Sequence, residues 1–357
     1  MRVLVSVGEV SGARIAKPWV QALVDQGVEC VGMVGAELQQ LGVENITNEP
    51  LIPATGIVEA LPALRSSVRN YRALRQSLSA VDGALLVDCP EINLRLASHA
   101  SALHLNCVYL APPQAWAWRG HRANKLRQTS LVGCLFKFEA EWYADRSVNA
   151  YWMGHPLADS YSPQLPAVHE RSTLALMPGS RLTTLKRTLP LFRELVESLR
   201  KAGFTQEIAL LAVPEISDSE YRQYFGEFSA GCSMTRDTDA CLSRAKVTVA
   251  HPGTATLHAV LSGSDLVCVC SPATVTRILG RYVFGFNRLA MPNLLCRRQV
   301  FPEFVIGESC IDEVVTTVMS RFRCATDLSF AIQQILDQTY HPGRRDWIQQ
   351  SVSRLFT

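Results

Sequence analysis

The most constraining feature of this sequence is an alternation of short, continuous apolar runs with segments of helical periodicity. Strands that read as apolar throughout belong to parallel sheets whose two faces are both covered by helices. Their short lengths and their Gly or Pro borders favour strands over buried pieces of helix. The first half of the chain therefore predicts a parallel α/β domain, with strands at residues 2–7, 30–34, 84–87, 107–110 and 131–135.

A proline-rich stretch, residues 156–172, interrupts this alternation with three prolines. A second series of apolar runs follows at residues 174–177, 208–213, 247–250 and 266–270. At 357 residues the chain is long enough for two hydrophobic cores. We expect an α/β protein with two doubly wound, Rossmann-like domains, residues 1–160 and 170–340, facing a cleft, and a helix in residues 341–357 that returns to the first domain. Ligands bind beyond the carboxyl ends of such strands, so the cleft is the default site.

Composition narrows the class of protein. With 48% hydrophobic and 19% charged residues the chain is expected to fold, and a net charge of +3 predicts no nucleic-acid partner. The 11 cysteines are scattered without a CxxC pair, which favours buried thiols in a cytoplasmic protein and no metal site. The N-terminal residues lack the basic region of a signal peptide, and no apolar run is long enough to span a bilayer. Any contact with a membrane would therefore be peripheral.

Two loops in the first half carry acidic residues where the catalytic groups of α/β folds gather. Glu9, Ser11 and Gly12 follow the first strand, where small residues allow a ligand to approach the backbone. A plain turn capped by Ser11 explains the same residues equally well. Asp88 stands at the carboxyl tip of the strand at residues 84–87, and its alternative role is to cap the helix that follows.

Residues 111–122 combine two tryptophans, Trp116 and Trp118, with the basic residues Arg119, His121 and Arg122. The basic residues open a predicted helix, where the helix macrodipole disfavours cations. A bound anion would resolve this conflict, and a solvated basic face is the alternative.

In the second half, two turns of similar design join a strand to a helix. Glycine lets a ligand approach the backbone, and the N–H groups at a helix start bind phosphate. Two such turns in one domain suit a nucleoside diphosphate. The first contains Gly179, Ser180 and Arg181, and the second contains Gly253, Thr254 and Ala255.

Two stretches without acidic residues, 60–81 and 266–302, mix arginines with apolar residues. In the first, arginines line one face of a predicted helix and aliphatic residues line another, which is the pattern of an amphipathic helix at a membrane surface. A core-facing helix with a basic outer side is the alternative. The candidate membrane residues are Leu61, Leu64, Arg65, Val68, Arg69 and Arg72.

Together and in this order, the motifs resemble those of lipid-A-disaccharide synthases, a family of glycosyltransferases with the two-domain GT-B fold. The similarity runs through nearly the whole chain, and its most specific parts are the runs 116–119 (WAWR) and 292–295 (PNLL), the latter leading to Pro302 and Glu303. Further matching segments are 8–12 (GEVSG), 56–59 (GIVE), 87–90 (VDCP), 154–156 (GHP), 176–181 (LMPGSR) and 253–255 (GTA).

The resemblance implies an inverting transfer of diacylglucosamine from UDP to diacylglucosamine 1-phosphate, giving a β-1,6-linked disaccharide. It implies no metal, no cofactor besides the UDP-sugar substrate, and a peripheral position on the cytoplasmic side of the inner membrane. Asp88 matches the base, and Glu9 is a second catalytic candidate. The implied acceptor residues are Ser11, Gly12, Trp118, Arg119 and Arg122, and the implied nucleotide residues are Gly179, Ser180, Arg181, Gly253, Thr254, Ala255, His258, Asn293 and Glu303.

Three carboxylates expected from the family pattern are missing, since the positions hold Ala13, Thr184 and His258. A neutral histidine can still bond a ribose hydroxyl, because it is both a donor and an acceptor. Two alternatives to the synthase stay open: a GT-B relative with another donor or acceptor, and a catalytically inactive binding protein. The sequence also leaves open the acyl-chain length and the oligomeric state, a homodimer included.

Overall fold

A computed structural model describes residues 1–8, 10–47, 60–117, 119–159, 161, 170–227, 232–271, 288–307, 311–324 and 326–356, without the side chains of residues 10 and 60–67. The chain divides into two compact units. Unit 1 comprises Met1–Pro156 and Gln338–Thr357, and unit 2 comprises Leu157–Asp337. Each unit is built around one parallel sheet.

Unit 1 alternates strands and helices in the way that its apolar runs predict. Its strands are β1 (Arg2–Val7), β2 (Glu29–Met33), β3 (Glu44–Asn45), β4 (Gly83–Val87), β5 (Asn106–Leu110), β6 (Leu131–Cys134) and β7 (Ala150–Trp152). Its helices are α1 (Val10–Asp25), α2 (Ala36–Gln39), α3 (Ala60–Ser77), α4 (Pro90–Ala102), α5 (Ala123–Leu126) and α6 (Lys137–Ala144). The strand order β3-β2-β1-β4-β5-β6-β7 reverses direction between β1 and β4, so the loops after these two strands flank the point where ligands of such sheets bind.

Unit 2 repeats the arrangement, with the strand order β10-β9-β8-β11-β12-β13. These strands are β8 (Thr173–Met177), β9 (Ile208–Leu211), β10 (Cys232–Thr235), β11 (Ala245–Ala250), β12 (Asp265–Cys270) and β13 (Glu303–Val305). The helices that follow β7 in the chain, up to residue 339, are α7 (Pro156–Asp159), α8 (Leu182–Lys201), α9 (Asp218–Phe225), α10 (Thr238–Arg244), α11 (Thr254–Leu261), α12 (Met291–Leu295), α13 (Ile311–Arg323) and α14 (Ser329–Thr339). The turns after β8 and β11 lie at the reversal point of this sheet, because these two strands are paired neighbours.

The predicted fold class is confirmed, since the chain forms two doubly wound parallel α/β sheets. Every strand predicted from an apolar run is present, with its ends shifted by at most two residues. Every residue of β4 and of β12 is buried, which is why these strands read as continuous apolar runs. Of the predicted linker, Pro156–Asp159 forms α7, and most of the remainder lies outside the described residues.

The C-terminal segment packs onto unit 1 through α15 (Arg344–Ser353). Trp347 of this helix stacks on Tyr151 with ring centroids 4.9 Å apart and meets Trp19 of α1 edge-on at 5.7 Å. Trp19 is fully buried, and its indole N–H donates to Ser351 Oγ at 2.8 Å. Because a buried N–H without an acceptor costs about 1–3 kcal/mol, this bond fixes how α15 lies on α1.

The described cysteines form no disulfide, and all of them except Cys89 and Cys324 are buried. In the part of the chain that the structure describes, no helix combines the length and the hydropathy needed to cross a membrane.

Candidate active site

Asp88 ends β4 in an unusual backbone conformation. Both Asp88 and Cys89 adopt left-handed φ angles, 51° and 45°. Such angles are uncommon for residues other than glycine, and they concentrate at functional sites. Cys89 occupies the N-cap position of α4, and Pro90 is the first residue of the helix. The alternative role of Asp88, capping this helix, is therefore excluded, because Cys89 holds that position.

Hydrogen bonds from two side chains hold the Asp88 backbone in place. Its carbonyl oxygen accepts from Tyr109 Oη at 2.6 Å and from Asn93 Nδ2 at 2.9 Å. Asn93 is fully buried, and it also binds the end of β1, since its Oδ1 accepts from Ser6 Oγ at 2.6 Å. The Asp88 N–H donates to the Leu110 carbonyl at 3.0 Å, which extends the sheet by one residue. The tips of β1, β4 and β5 therefore form one fixed platform under Asp88.

The loop after β1 passes close to this platform. A β-carbon on Gly8 would overlap with the Cys89 side chain, so only glycine fits there. The helix α1 begins at Val10, so the exposed Ser11 is inside the helix, and the alternative of a turn capped by Ser11 does not hold. Ala13 is buried in the core. The candidate residues Glu9 and Trp118 lie outside the described residues.

Glu139 is a second carboxyl group in this region, and the sequence motifs did not reveal it. It lies in the first turn of α6, is only 2% exposed, and accepts a hydrogen bond from Trp116 Nε1 at 3.1 Å. Burial and, to a smaller extent, the charge of Asp88 raise the pKa of Glu139 to about 8, while hydrogen bonds from Trp116 and from the backbone oppose this rise. Glu139 is therefore mostly protonated at neutral pH. Its bond to Trp116 holds the segment around residues 111–122, called the tryptophan loop below, against α6.

The basic residues of the tryptophan loop lie near the start of α4. Arg119 is exposed and has a left-handed φ angle of 56°. Arg122 is mostly buried, with a 12% exposed side chain, and its guanidinium donates to Glu91 at 3.1 Å. The structure thus brings two of the predicted acceptor residues to the helix that follows Asp88.

In unit 2 the two predicted phosphate turns lie side by side. The His251 N–H, in the turn after β11, donates to the Met177 carbonyl at the end of β8 at 2.9 Å. Gly179 has a φ of 124°, and a β-carbon there would come within 2.8 Å of Thr184 Cγ2. Thr184, found where the family pattern predicts an acid, thus packs under this glycine. Glycine is required at residue 179, because the turn needs both its φ angle and its lack of a side chain.

Both turns lead into helices that receive no capping bond from a side chain of the N-cap residue. Arg181 is the N-cap of α8 and Gly253 is the N-cap of α11, and neither makes a side-chain capping bond. The uncapped N–H groups at a helix start can bind an anion such as phosphate. Ser180 and Thr254 are exposed beside these N-caps. The two helix starts can therefore receive two phosphate groups.

His258 takes the place of the expected glutamate on α11, and a carboxylate lies next to it. Its Nε2 is 2.9 Å from Asp239 Oδ1 of α10, whose side chain is 87% exposed. When Nε2 donates to Asp239, Nδ1 carries no proton and is the acceptor nitrogen of the ring. The pair therefore offers hydrogen-bond acceptors in the region where the family pattern has a single glutamate.

Asn293 and Glu303 hold one another rather than standing apart. The Asn293 amide donates to Glu303 Oε1 at 2.7 Å and to the Phe301 carbonyl at 2.8 Å. Its oxygen accepts from the N–H groups of Val300 and Phe301, both at 2.9 Å, and its side chain is fully buried. The nucleotide contact predicted for Asn293 is therefore corrected to a supporting role, because all of its bonding capacity is used within the protein. The half-buried Glu303 stays a predicted ligand residue.

These features define the class of fold: two doubly wound parallel α/β units of the GT-B type. A UDP-GlcNAc 2-epimerase from Neisseria meningitidis, bound to UDP-GlcNAc, has a TM-score of 0.65 at 8% identity over 99% of this chain and 100% of its own. The calicheamicin glycosyltransferase CalG4 has a TM-score of 0.59 at 12% identity over 99% of this chain and 94% of its own. At such low identity these likenesses show the fold alone.

The sequence decides between the chemistries that share this fold. A family model described as Lipid-A-disaccharide synthetase matches residues 3–329, and the chain belongs to this family of glycosyltransferases. The lipid-A-disaccharide synthase of Myxococcus xanthus is 29% identical over 89% of this chain and 87% of its own length. That of Solibacter usitatus is 27% identical over 96% and 95%. The resemblance drawn from the motifs is confirmed.

The protonated state of Glu139 makes a prediction about stability and pH. Its pKa is near 4.5 when unperturbed and about 8 in the fold. Between these values the unfolded chain loses this proton while the folded chain keeps it, so the glutamate disfavours folding more as the pH rises. We expect Glu139→Gln to gain stability relative to the parent from pH 5 to 8, by up to about 1.4 kcal/mol per pH unit. Unfolding in urea at each pH measures the difference.

Glu141→Gln is the matched control, because Glu141 is exposed on the same helix. Its difference from the parent should not change in the same way across this range. A constant difference between the Glu139→Gln variant and the parent from pH 5 to 8 would mean that Glu139 is ionised in the fold throughout.

Proposed function

We propose that this protein transfers diacylglucosamine from UDP to the 6-hydroxyl of diacylglucosamine 1-phosphate, forming a β-1,6-linked disaccharide with inversion. The observation that carries the proposal is the family match over residues 3–329, which includes all the described candidate residues. Two features support the proposal by supplying groups that this reaction needs. In unit 1 the backbone of Asp88 is held by hydrogen bonds, and in unit 2 the two glycine turns are bonded to each other.

The nucleotide of the donor binds to unit 2 in this proposal. Its two phosphates meet the starts of α8 and α11, and Arg181 adds a positive charge beside them. His258, paired with Asp239, accepts a hydrogen bond from a ribose hydroxyl. These protein groups stabilise the negative charge of the departing UDP, and we propose that no metal ion is needed for this.

Asp88 is the general base of the reaction in unit 1. The 6-hydroxyl oxygen of the acceptor forms a bond to the anomeric carbon of the donor and gives its proton to the Asp88 carboxylate. The bond from that carbon to UDP breaks, and UDP leaves with the electron pair. A positioned base contributes about 10²- to 10⁴-fold in rate, and the platform under Asp88 supplies the positioning.

Replacement of Asp88 tests both the base and the reaction. Asp88→Asn keeps the size and the backbone bonds of this residue, so we expect a folded protein that binds UDP and forms product about 10²- to 10⁴-fold more slowly. The assay is mass spectrometry of the lipid product made from UDP-diacylglucosamine and the acceptor. Asp145→Asn, at an exposed site in the same unit, is the control.

The outcomes of this assay separate the alternatives. Nearly full activity of the Asp88→Asn variant would make Asp88 structural, and Glu9 or Glu91 would be the next candidates. A different product from the parent enzyme would indicate another donor or acceptor. UDP binding by the parent without any turnover would indicate an inactive binding protein.

UDP binding tests the role of unit 2. Hydrogen bonds to charged groups contribute about 1.5–3 kcal/mol, so Arg181→Ala should weaken UDP binding by about ten- to a hundredfold. Arg187→Ala is the matched control, because Arg187 is exposed further along the same helix. Calorimetry with and without a chelator measures both effects. Loss of binding with the chelator would contradict the metal-independent proposal.

We further propose that the enzyme works as a peripheral protein on an anionic membrane. On α3, Asn70 and Leu74 are buried, which shows that this helix has a core-facing side. Val68, Arg69 and Arg72 are exposed on its remaining surface. Leu61, Leu64 and Arg65 have side chains outside the described residues. The exposed arginines support the proposal, because each contributes about 1 kcal/mol of attraction near an anionic surface.

Vesicle binding tests this surface. The double variant Arg69→Gln and Arg72→Gln should bind anionic vesicles about tenfold or more weakly than the parent, and added salt should weaken the parent's binding too. Co-sedimentation at low and high salt measures this. The matched control is Arg345→Gln with Arg354→Gln, which removes the same charge from exposed sites of α15 and its C-terminal end. Equal binding of the parent to neutral and anionic vesicles would contradict the electrostatic part.

A further inference from the structure

Unit 1 contains a cavity of about 290 Å³ between the first turns of α4 and the segment around residues 119–125. Three arginines and one lysine line it, together with a single carboxylate. Its volume is just below the usual range for small-molecule sites, about 300–1,000 Å³. The charged lining residues are Arg95, Arg119, Arg122, Lys125 and Glu91.

The charge of this cavity points to an anionic ligand. Cations gathered around one small space repel each other, and an anion among them offsets that repulsion. Arg122 is the strongest indication, because its side chain is mostly buried and still lines the cavity while its guanidinium binds Glu91. A fork of N–H donors held in this way matches the oxygens of a phosphate group.

The cavity also lies beside the proposed base. Pro90 and Glu91, which follow Asp88 and Cys89 directly in the chain, are part of its lining. Arg119, which lines the cavity, has a left-handed backbone angle, and so do Asp88 and Cys89, which precede Pro90 in the chain. Strained backbone of this kind persists only where the surrounding structure enforces it, and it is frequent at ligand sites.

We propose that this cavity binds the phosphate monoester of the sugar 1-phosphate acceptor. The inference rests on the proposed function and deepens it, because it names the group by which unit 1 recognises its substrate. The phosphate at carbon 1 anchors one end of the sugar in the basic cavity. The 6-hydroxyl at the other end is then presented to Asp88. The cavity is too small for acyl chains, so these lie elsewhere.

Paired acceptors test the proposal. The parent enzyme and its variants are assayed with diacylglucosamine 1-phosphate and with the same lipid lacking the phosphate. We expect Arg122→Gln to raise KM for the phosphorylated acceptor by about ten- to a hundredfold and to leave KM for the other acceptor nearly unchanged. The parent's preference for the phosphorylated acceptor should fall by the same factor, with UDP affinity unchanged.

Lys125→Gln is a second variant that keeps the fold, because Lys125 is exposed. It should reduce the same preference by about three- to tenfold. The matched control is again Arg345→Gln with Arg354→Gln, which should leave the preference intact. Equal discrimination between the two acceptors by the parent and by both cavity variants would overturn the proposal.

Two further measurements separate this inference from its alternatives. Binding of glucosamine 1-phosphate, followed by NMR with glucosamine as the control, does not depend on turnover. If the parent makes no disaccharide but binds this phosphate through Arg122, the proposed function fails while the anion site stands. If the cavity variants lose binding to anionic vesicles but keep their preference for the phosphorylated acceptor, the cavity serves lipid headgroups and the inference is wrong.

Discussion

Burial of the central strands on both faces is the constraint on which the rest of this structure depends. Because helices cover β1 and β4 in unit 1 and β8 and β11 in unit 2, their side chains pack into cores, and chemistry is confined to the loops at the carboxyl edges. The buried amide of Asn93 holds one edge, through Ser6 and Asp88. A backbone bond from His251 to Met177 holds the other. Both sites are thus ordered before a ligand arrives, which lowers the cost of binding.

The sequence predicted the centre of each sheet and missed its edges. The four strands that it did not predict, β3, β7, β10 and β13, are the outermost strands of the two sheets. An edge strand is covered on fewer sides and need not be continuously apolar: β3 is Glu-Asn with both residues exposed, and β7 is Ala-Tyr-Trp with none buried. The pairing that makes these segments strands comes from the neighbouring strand rather than from their own composition.

The same distinction separates the site residues that could be predicted from those that could not. A glycine turn between a strand and a helix is local, so Gly179 and Gly253 stand out in the sequence. Asn93 and Glu139 act through partners 87 and 23 residues away, Ser6 and Trp116, and a single polar residue in a helical segment looks like helix surface until the fold is known. Asn293 shows the opposite case. Its motif is conspicuous in the sequence, but its side-chain oxygen accepts hydrogen bonds from the backbone N–H groups of Val300 and Phe301.

Burial also separates the two carboxyl groups of this site, Glu139 and Asp88. Glu139 and Asp88 interact, and two nearby carboxylates do not ionise independently. Glu139 is enclosed and bonded to an indole N–H, whereas Asp88 is half-buried at a strand tip. The desolvation cost therefore falls on Glu139, and it raises the pKa of this carboxyl group. Pairs of carboxyl groups separated in this way by their surroundings divide acid and base roles in many enzymes. Here a carboxyl group stands at the tip of β4, and Pro90 and Glu91 at the start of α4 line a cavity rich in cations, which is the arrangement that we propose for a base acting on a phosphorylated sugar.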